Sequence, residues 1–175
     1  FRTVEGRWLE VENVGGEGVR VLDRRVRGRI LHYLNDRGTL NVINRVSLAD
    51  YLRGVVPREM GPKIYDDLDA LKAQTVAART YALRNLGEFS REGYDICATP
   101  RCQAYGGMDW EQELTDRAVA ETAGEVLVYR GELADSLYSS TCGGHTEDVE
   151  MVFPLKNEPY LRGVPCLESG VETRE

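Results

Sequence analysis

Three charged residues have types and spacing that suit chemistry on a polar substrate. Glu59 follows Pro57 and stands just before Gly61-Pro62, so we expect it at a helix terminus or corner rather than within a regular element. A carboxyl group there can act as a general acid when protonated and as a base when ionised. Lys72 and Arg79 follow it, seven residues apart.

The two cations lie on the strongest helix that the sequence predicts, over about residues 66–86. At about 100° per residue, Lys72 and Arg79 fall within the helix's apolar stripe. A cation on an inward face needs a carboxylate partner or an adjacent cleft, because an unpaired buried charge is costly. Two interpretations stay open: structural ion pairs or snorkelling side chains, or cations that line an anion- or sugar-binding site.

The cysteines form a second group with chemical potential. Cys97 and Cys102 are close in sequence, Cys142 lies three residues before His145, and Cys166 is near the end. Disulfides Cys97–Cys102 and Cys142–Cys166 are one arrangement. A zinc site built from Cys97, Cys102, Cys142 and His145 is another, since three thiolates and an imidazole are a common zinc ligand set. Free thiols are the third.

The elements that must position these residues predict an α+β fold. Hydrophobic and polar residues alternate in short runs over residues 1–46, which we interpret as a β-rich N-terminal part of the same domain as 47–175. A helix begins at Ser47, and we expect Pro57 to break or restart it. A shorter helix is predicted over 111–122. The predicted architecture is a strand-rich frame around the long central helix and two shorter helices.

Composition and charge exclude several classes of function. The chain has 175 residues, one domain by size, with 29 acidic against 22 basic residues and a net charge of −7. We therefore expect no nucleic-acid partner, because phosphate contacts need a basic surface. No apolar run is long enough to span a bilayer, and we expect any signal or anchor to have been trimmed before Phe1. Arg58 and Lys63 could add to a small positive cleft.

Four blocks of sequence resemble one known family in order and spacing. They are SLADYLRGVVPREM (47–60), ALKAQTVAARTYA (70–82), CQAYGG (102–107) and YSSTCGGHT (138–146), and Pro159-Tyr160-Leu161 fits the C-terminal end of the pattern. The blocks resemble the stage II sporulation protein D/LytB-like family, over about residues 40–166. The upstream β-rich segment fits less closely.

The resemblance implies a lytic transglycosylase of bacterial peptidoglycan. Such an enzyme cleaves the β-1,4 bond between N-acetylmuramic acid and N-acetylglucosamine, preferably in peptide-stripped strands, and leaves 1,6-anhydro ends. By position, the resemblance implies that Glu59 is the catalytic acid/base, that Lys72 and Arg79 are cleft cations, and that Tyr138 and Tyr160 contact the glycan. It implies no cofactor for the chemistry.

The resemblance also leaves a second function open and weakens one site. LytB-like relatives suggest a non-catalytic glycan-binding module that stimulates a cell-wall amidase. The expected partners are therefore glycan strands and a cell-wall amidase, outside the cytoplasm. Some relatives bind zinc near the cysteine-glutamine block, but Arg101 stands here where those relatives have histidine. Structural zinc would then need Cys142 and His145 as substitute ligands.

Overall fold

The chain forms two compact units, residues 1–136 and 137–175. The computed structural model describes residues 2–4, 8–12, 16–61, 64 and 66–166. Lys63, named above as a neighbouring cation, lies outside the described residues. The first unit contains both the β-rich segment 1–46 and the helices that follow it.

The strands of the first unit are antiparallel. A four-stranded sheet has the order β1-β2-β5-β6, and two hairpins pair β3 with β4 and β7 with β8. The strands are β1 (Arg2–Val4), β2 (Trp8–Glu12), β3 (Val19–Val21), β4 (Arg24–Val26), β5 (Arg29–Leu34), β6 (Leu40–Arg45), β7 (Val128–Tyr129) and β8 (Glu132–Leu133). The alternation in residues 1–46 correctly predicted this β structure, and the turn Arg130-Gly131 joins β7 to β8.

Helix α1 spans Leu48–Glu59, and its ends explain where Glu59 lies. The hydroxyl of Ser47 caps the helix by accepting a hydrogen bond from the Asp50 N–H at 3.1 Å. The prediction that Pro57 breaks the helix was wrong, because Pro57 lies inside it. A proline removes only one helical hydrogen bond, and here just two residues of helix follow it. Glu59 is the last helical residue, as expected.

Helices α2 (Leu68–Arg84) and α3 (Glu113–Glu121) pack against α1 and against each other. Helix α2 is shorter than predicted, because Asp67 is its N-cap rather than part of its first turn. The Asp67 carboxylate accepts hydrogen bonds from the N–H groups of Asp69 and Ala70. None of the described helices combines the length and the apolar character needed to cross a membrane.

The core of the first unit joins the helices to the sheet. Buried side chains from α1, α2 and α3 meet Val26 and Ile30 of the strands and Tyr105 of the loop before α3. Tyr105 stacks on Tyr51 with ring centroids 5.4 Å apart, and its hydroxyl donates to Asn44 Oδ1 at 3.1 Å. Burial raises the pKa of Tyr105 to about 12. The observed architecture confirms the predicted α+β class.

The second unit is mostly loop with one short helix, α4 (Val149–Val152). Residues 144–166 fold back on themselves. The Thr146 N–H donates to the Val164 carbonyl at 2.9 Å, and the Thr146 hydroxyl accepts from the Val164 N–H at 2.8 Å. The Cys166 N–H donates to the Gly144 carbonyl at 3.0 Å. Gly163 has no room for a side chain, since a β-carbon there would lie 2.5 Å from the Thr146 carbonyl oxygen. Backbone contacts therefore hold this loop-rich segment together.

Gly54 on α1 lies against the loop that precedes α3. A substitution there tests how closely this loop packs on the helix. A β-carbon there would lie 2.5 Å from Cε2 of Tyr105 and 3.0 Å from the backbone nitrogen of Gly107. We expect Gly54→Ala to lower the free energy of unfolding by about 1–3 kcal/mol, measured by urea denaturation. Gly61→Ala is the control, because its nearest neighbour would be 3.9 Å away. Equal stability of the two variants would contradict this packing.

Candidate functional site

Glu59 lies half-buried at the C-terminal end of α1, where a backbone amide holds its carboxylate. The Ala104 N–H donates a hydrogen bond to Glu59 Oε1 at 2.6 Å. The short distance is typical of a hydrogen bond to a charged acceptor. This contact fixes one carboxylate oxygen at a defined place on the surface of the first unit.

Gln103 fixes the loop that carries Ala104. Its side chain is fully buried at 0% exposure. Its Oε1 accepts from the Tyr51 hydroxyl at 3.0 Å, and its Nε2 donates to the carbonyl of Ala78 at 3.1 Å. The amide thus bridges α1 and α2. Because a buried amide needs its hydrogen-bond partners, the loop has little freedom to shift along the helices.

Two glycines bring the rest of the loop against the protein. Gly106 N–H donates to the Gly54 carbonyl at 2.9 Å. Gly107 has φ +68°, and a β-carbon there would lie 2.3 Å from the Arg25 carbonyl oxygen. Only glycine adopts this backbone conformation in so narrow a space. The block CQAYGG, which carried part of the family resemblance, therefore positions the Glu59 carboxylate.

A disulfide closes the segment before this loop. Cys97 and Cys102 are disulfide-bonded, with Cα atoms 5.6 Å apart. Cys102 immediately precedes Gln103, so the cross-link fixes the start of the loop. This bond is the first of the two disulfides in the disulfide alternative of the sequence analysis.

The remaining predicted ligands lie in the second unit. Cys142 is disulfide-bonded to Cys166, and His145 forms a β-bridge with Pro165. The structure therefore has the two disulfides of the first sequence alternative, and a sulfur in a disulfide is not available as a thiolate ligand for zinc. Among the described residues, no cluster of three or more histidine, cysteine, aspartate or glutamate side chains has the arrangement of a metal site.

The structure places Lys72 in an ion-pair network. Its Nζ lies 2.5 Å from Glu121 Oε2 and 3.8 Å from Asp69 Oδ1, and 29% of its side chain is exposed. The hydrogen bond with Glu121 raises the pKa of Lys72, and the same contact together with Arg117 lowers the pKa of Glu121. Lys72 thus links α2 to α3 on a partly exposed surface.

Arg79 is buried, at 5% exposure. Its guanidinium donates to the carbonyls of Val119 and Glu125 at 3.3 and 3.1 Å and to the Thr122 hydroxyl at 3.2 Å. Burial lowers its pKa. Arg79 therefore supplies donors to the Val119 carbonyl in the last turn of α3 and to the Glu125 carbonyl beyond the helix. These contacts favour the structural interpretation of this cation.

Within the described residues, no hydrogen bond or ion pair joins Glu59 to Lys72 or Arg79. Of the two aromatic residues predicted to contact glycan, Tyr138 is 36% exposed and Tyr160 is half-buried. Both belong to the second unit. Ala104 was not predicted, because it acts through a backbone N–H that no residue type reveals.

An open cavity of about 830 Å³ occupies another part of the first unit. It lies between strands β5 and β6, the C-terminal half of α2, and the segment 93–99. Tyr51 and Tyr105 form part of its wall, but Glu59 does not. The Glu59 carboxylate is thus outside this cavity.

The arrangement around Glu59 can perform proton transfer with a single carboxylate. One oxygen is held by an N–H group, which can donate to a carboxyl oxygen in either protonation state. Retaining and inverting glycosidases use two carboxylates. A single carboxyl group can also perform proton transfer alone, by serving first as acid and then as base.

Comparison with known proteins identifies relatives of the chain. Residues 36–129 match the family model of SpoIID, the stage II sporulation protein. This range contains Glu59, Lys72, Arg79 and the CQAYGG block, whereas Tyr138 and Tyr160 lie beyond it. No solved structure matches the chain.

Three similar proteins come from two bacterial genera. The chain is 38% identical over 135 residues to an uncharacterized protein of Brachyspira hyodysenteriae. It is 40% identical over 124 residues to the amidase enhancer of Bacillus subtilis, and 32% identical over 137 residues to the stage II sporulation protein D of Bacillus amyloliquefaciens. The matches cover 77%, 71% and 70% of this chain but only 36%, 15% and 39% of those proteins.

Substitution of Arg79 and of Lys72 on α2 tests whether each cation has a structural role or only a surface role. Arg79→Met would leave two buried acceptors and one partly buried acceptor without their donor, so we expect the free energy of unfolding to fall by about 3 kcal/mol. Lys72→Met removes a partly exposed ion pair, which contributes little to stability, and should lower the free energy of unfolding much less than Arg79→Met does. Urea denaturation measures both. A destabilisation by Lys72→Met as large as that by Arg79→Met would contradict these placements.

Thiol and metal analysis tests the state of the cysteines. Under denaturing conditions without reductant we expect no reactive thiol, and four after reduction, because no cysteine is free. Zinc, measured by mass spectrometry of the elements, should be absent from the oxidised protein. About one zinc per chain, with thiols that become reactive on chelation, would contradict the disulfide arrangement.

Proposed function

Because the chain belongs to the SpoIID family, we propose that it is a lytic transglycosylase of bacterial peptidoglycan that acts outside the cytoplasm. The observation that carries the proposal is the position of Glu59: the glutamate of the VVPREM block ends a helix and is held through one oxygen by the Ala104 N–H. The substrate is the MurNAc-β-1,4-GlcNAc bond, preferably in strands without stem peptides. The product is a 1,6-anhydroMurNAc end.

One carboxyl group is enough for this reaction. Protonated Glu59 gives its proton to the glycosidic oxygen, and the bond from that oxygen to the anomeric carbon breaks. The 6-hydroxyl oxygen of the same muramoyl sugar then forms the new bond to the anomeric carbon, and its proton passes to the Glu59 carboxylate. Atoms and charge balance without water, and the carboxyl group ends in its starting state.

The packing around Glu59 supports this role. Catalysis depends on a reacting group being held close to its productive position. The Ala104 N–H occupies Oε1, and Gln103 holds the amide in place through bonds to α1 and α2. Oε2 is the oxygen left to exchange the proton with the sugar.

The roles of the other residues that the resemblance implies are proposed on different grounds. Tyr138 and Tyr160 are proposed as glycan contacts of the second unit, on the family pattern alone. Lys72 and Arg79 have protein partners for their charges, so we propose that they support the site by joining α2 to α3. Structural zinc is not part of the proposed function.

A second candidate is a non-catalytic module that binds glycan and stimulates a cell-wall amidase. The relative from Bacillus subtilis named amidase enhancer, 40% identical over the matched residues, favours it. In that case a cell-wall amidase is the partner, and Glu59 contacts glycan without transferring a proton. Both candidates place the protein at the cell wall.

The Glu59→Gln variant tests the proposal, with peptide-stripped glycan strands as substrate. Mass spectrometry of the products should find 1,6-anhydroMurNAc ends with the wild-type protein. We expect at least a roughly 100-fold loss in the variant, because glutamine cannot donate and recover the proton. Glu113→Gln, an exposed acidic residue at the start of α3, serves as the control.

Two results would contradict the enzyme. Anhydro ends formed at the wild-type rate by Glu59→Gln would remove Glu59 from the reaction. Absence of anhydro ends with the wild-type protein, together with an increased rate of an added amidase, would favour the non-catalytic module.

A further inference from the structure

Arg58, the residue before Glu59, rests on an exposed tryptophan. Its guanidinium carbon lies 4.2 Å from the centroid of the Trp110 ring, a distance typical of a cation–π contact. Arg58 is exposed, and Trp110 is 44% exposed. The contact holds a positive charge at the protein surface, with its backbone one residue from the candidate catalytic carboxylate.

Trp110 is held firmly, although it is exposed. Asp109, the preceding residue, accepts hydrogen bonds from the backbone N–H and Nε of Arg25 at 2.8 and 2.9 Å. Glu111, the following residue, accepts two bonds from Arg27 at 2.6 and 2.7 Å. Bidentate contacts on both sides fix the short turn that carries the indole. The platform under Arg58 is therefore rigid.

Trp110 also contacts the loop that holds Glu59. A β-carbon on Gly106 would lie 2.5 Å from the indole Cδ1, so this glycine packs directly against the ring. Gly106 is two residues from Ala104, whose N–H binds the Glu59 carboxylate. The short loop with Ala104 and Gly106 thus supports Glu59 directly. It also supports Arg58, through Trp110.

The charge of Arg58 is available to a ligand. Most cations of the first unit are committed to carboxylates or carbonyls, which fits a chain with a net charge of −7. The committed cations include Arg25, Arg27, Arg29, Arg37, Arg53, Lys72 and Arg79. In the described part of the chain, no carboxylate pairs with Arg58. Within the described ranges, the indole ring is the group that holds its guanidinium.

We propose that Arg58, held on Trp110, binds the carboxylate of an anionic sugar beside Glu59. The proposal rests on the proposed function, which supplies the ligand: the lactyl group of muramic acid. That group is a carboxylate in a peptide-stripped strand and a neutral amide where a stem peptide is attached. A guanidinium binds a carboxylate through two parallel N–H donors, which an amide cannot match. Arg58 therefore selects strands without peptides.

Binding measured in the Glu59→Gln background tests the assignment without turnover. Dissociation constants are compared for two probes, peptide-stripped glycan strands and the same strands with their stem peptides. We expect Glu59→Gln to bind the stripped strands about tenfold more tightly than it binds the strands with stem peptides, in a salt-dependent manner. Adding Arg58→Met should abolish that preference and leave the affinity for peptide-bearing strands within about twofold. Adding Trp110→Leu should reduce the preference, because Arg58 loses its support.

Arg130→Met is the matched control. Arg130 also lies over an aromatic ring, 5.1 Å from the centroid of Tyr129, on the β7–β8 hairpin. The variant removes the same charge and the same type of contact, and we expect it to keep the full preference. An equal loss of preference in Arg130→Met would overturn the proposal by showing a general effect of net charge.

The outcomes for Arg58 and for the enzyme are distinguishable. A preference that persists in Arg58→Met, or no preference in the Glu59→Gln parent, overturns the Arg58 site. Anhydro ends made by the wild-type protein would still support the enzyme in that case. An Arg58-dependent preference with no anhydro product supports the site and contradicts the transglycosylase.

Discussion

The buried amide of Gln103 is the constraint on which the candidate site depends. It accepts from the Tyr51 hydroxyl on α1 and donates to the Ala78 carbonyl on α2, at 0% exposure. Removal of a buried partner from such a pair costs about 1–3 kcal/mol, so the loop has one preferred position on the two helices. The next residue, Ala104, then has its N–H at the correct place to hold Glu59. The candidate catalytic carboxylate is thus positioned by packing in the interior.

The distribution of charge would allow an acidic protein to bind the proposed anionic substrate. The described arginines and lysines of the first unit mostly pair with its own carboxylates or donate hydrogen bonds to carbonyls. Arg58 differs from these cations, because it is held by an aromatic ring, which carries no net charge. Cation–π contact orients a guanidinium while leaving its N–H edge free to bind a ligand. A net charge of −7 is therefore compatible with a local anion site.

Local patterns in the sequence predicted much of the frame. Three predictions correspond to observed elements. They are the strands in residues 1–46, the helix cap at Ser47, and the helix that carries Lys72 and Arg79. Pro57 was misjudged because a proline removes one helical hydrogen bond and can kink a helix without ending it. The family resemblance selected Glu59, and it selected the CQAYGG block without revealing what each residue of the block contacts.

The roles of Lys72 and Arg79 could not be predicted from the helix that carries them. The inward placement of Arg79 was correct, whereas Lys72 lies on a partly exposed surface. Both find partners on α3, some 40 to 50 residues later. Helical periodicity says which face a residue occupies, and it cannot say whether that face meets a carboxylate, a carbonyl or a cleft. The same holds for Trp110, whose contact with Arg58 depends on how the loop packs.

The amide proton of Ala104 reports the central contact most directly. Nuclear magnetic resonance of the labelled protein would compare its chemical shift and its rate of exchange with solvent in wild type and in Gln103→Ala. The account predicts a strongly downfield, slowly exchanging proton in wild type, and an upfield, faster-exchanging one in the variant. An Ala104 amide with the shift and exchange rate of an exposed loop in wild type, unchanged by the substitution, would contradict it.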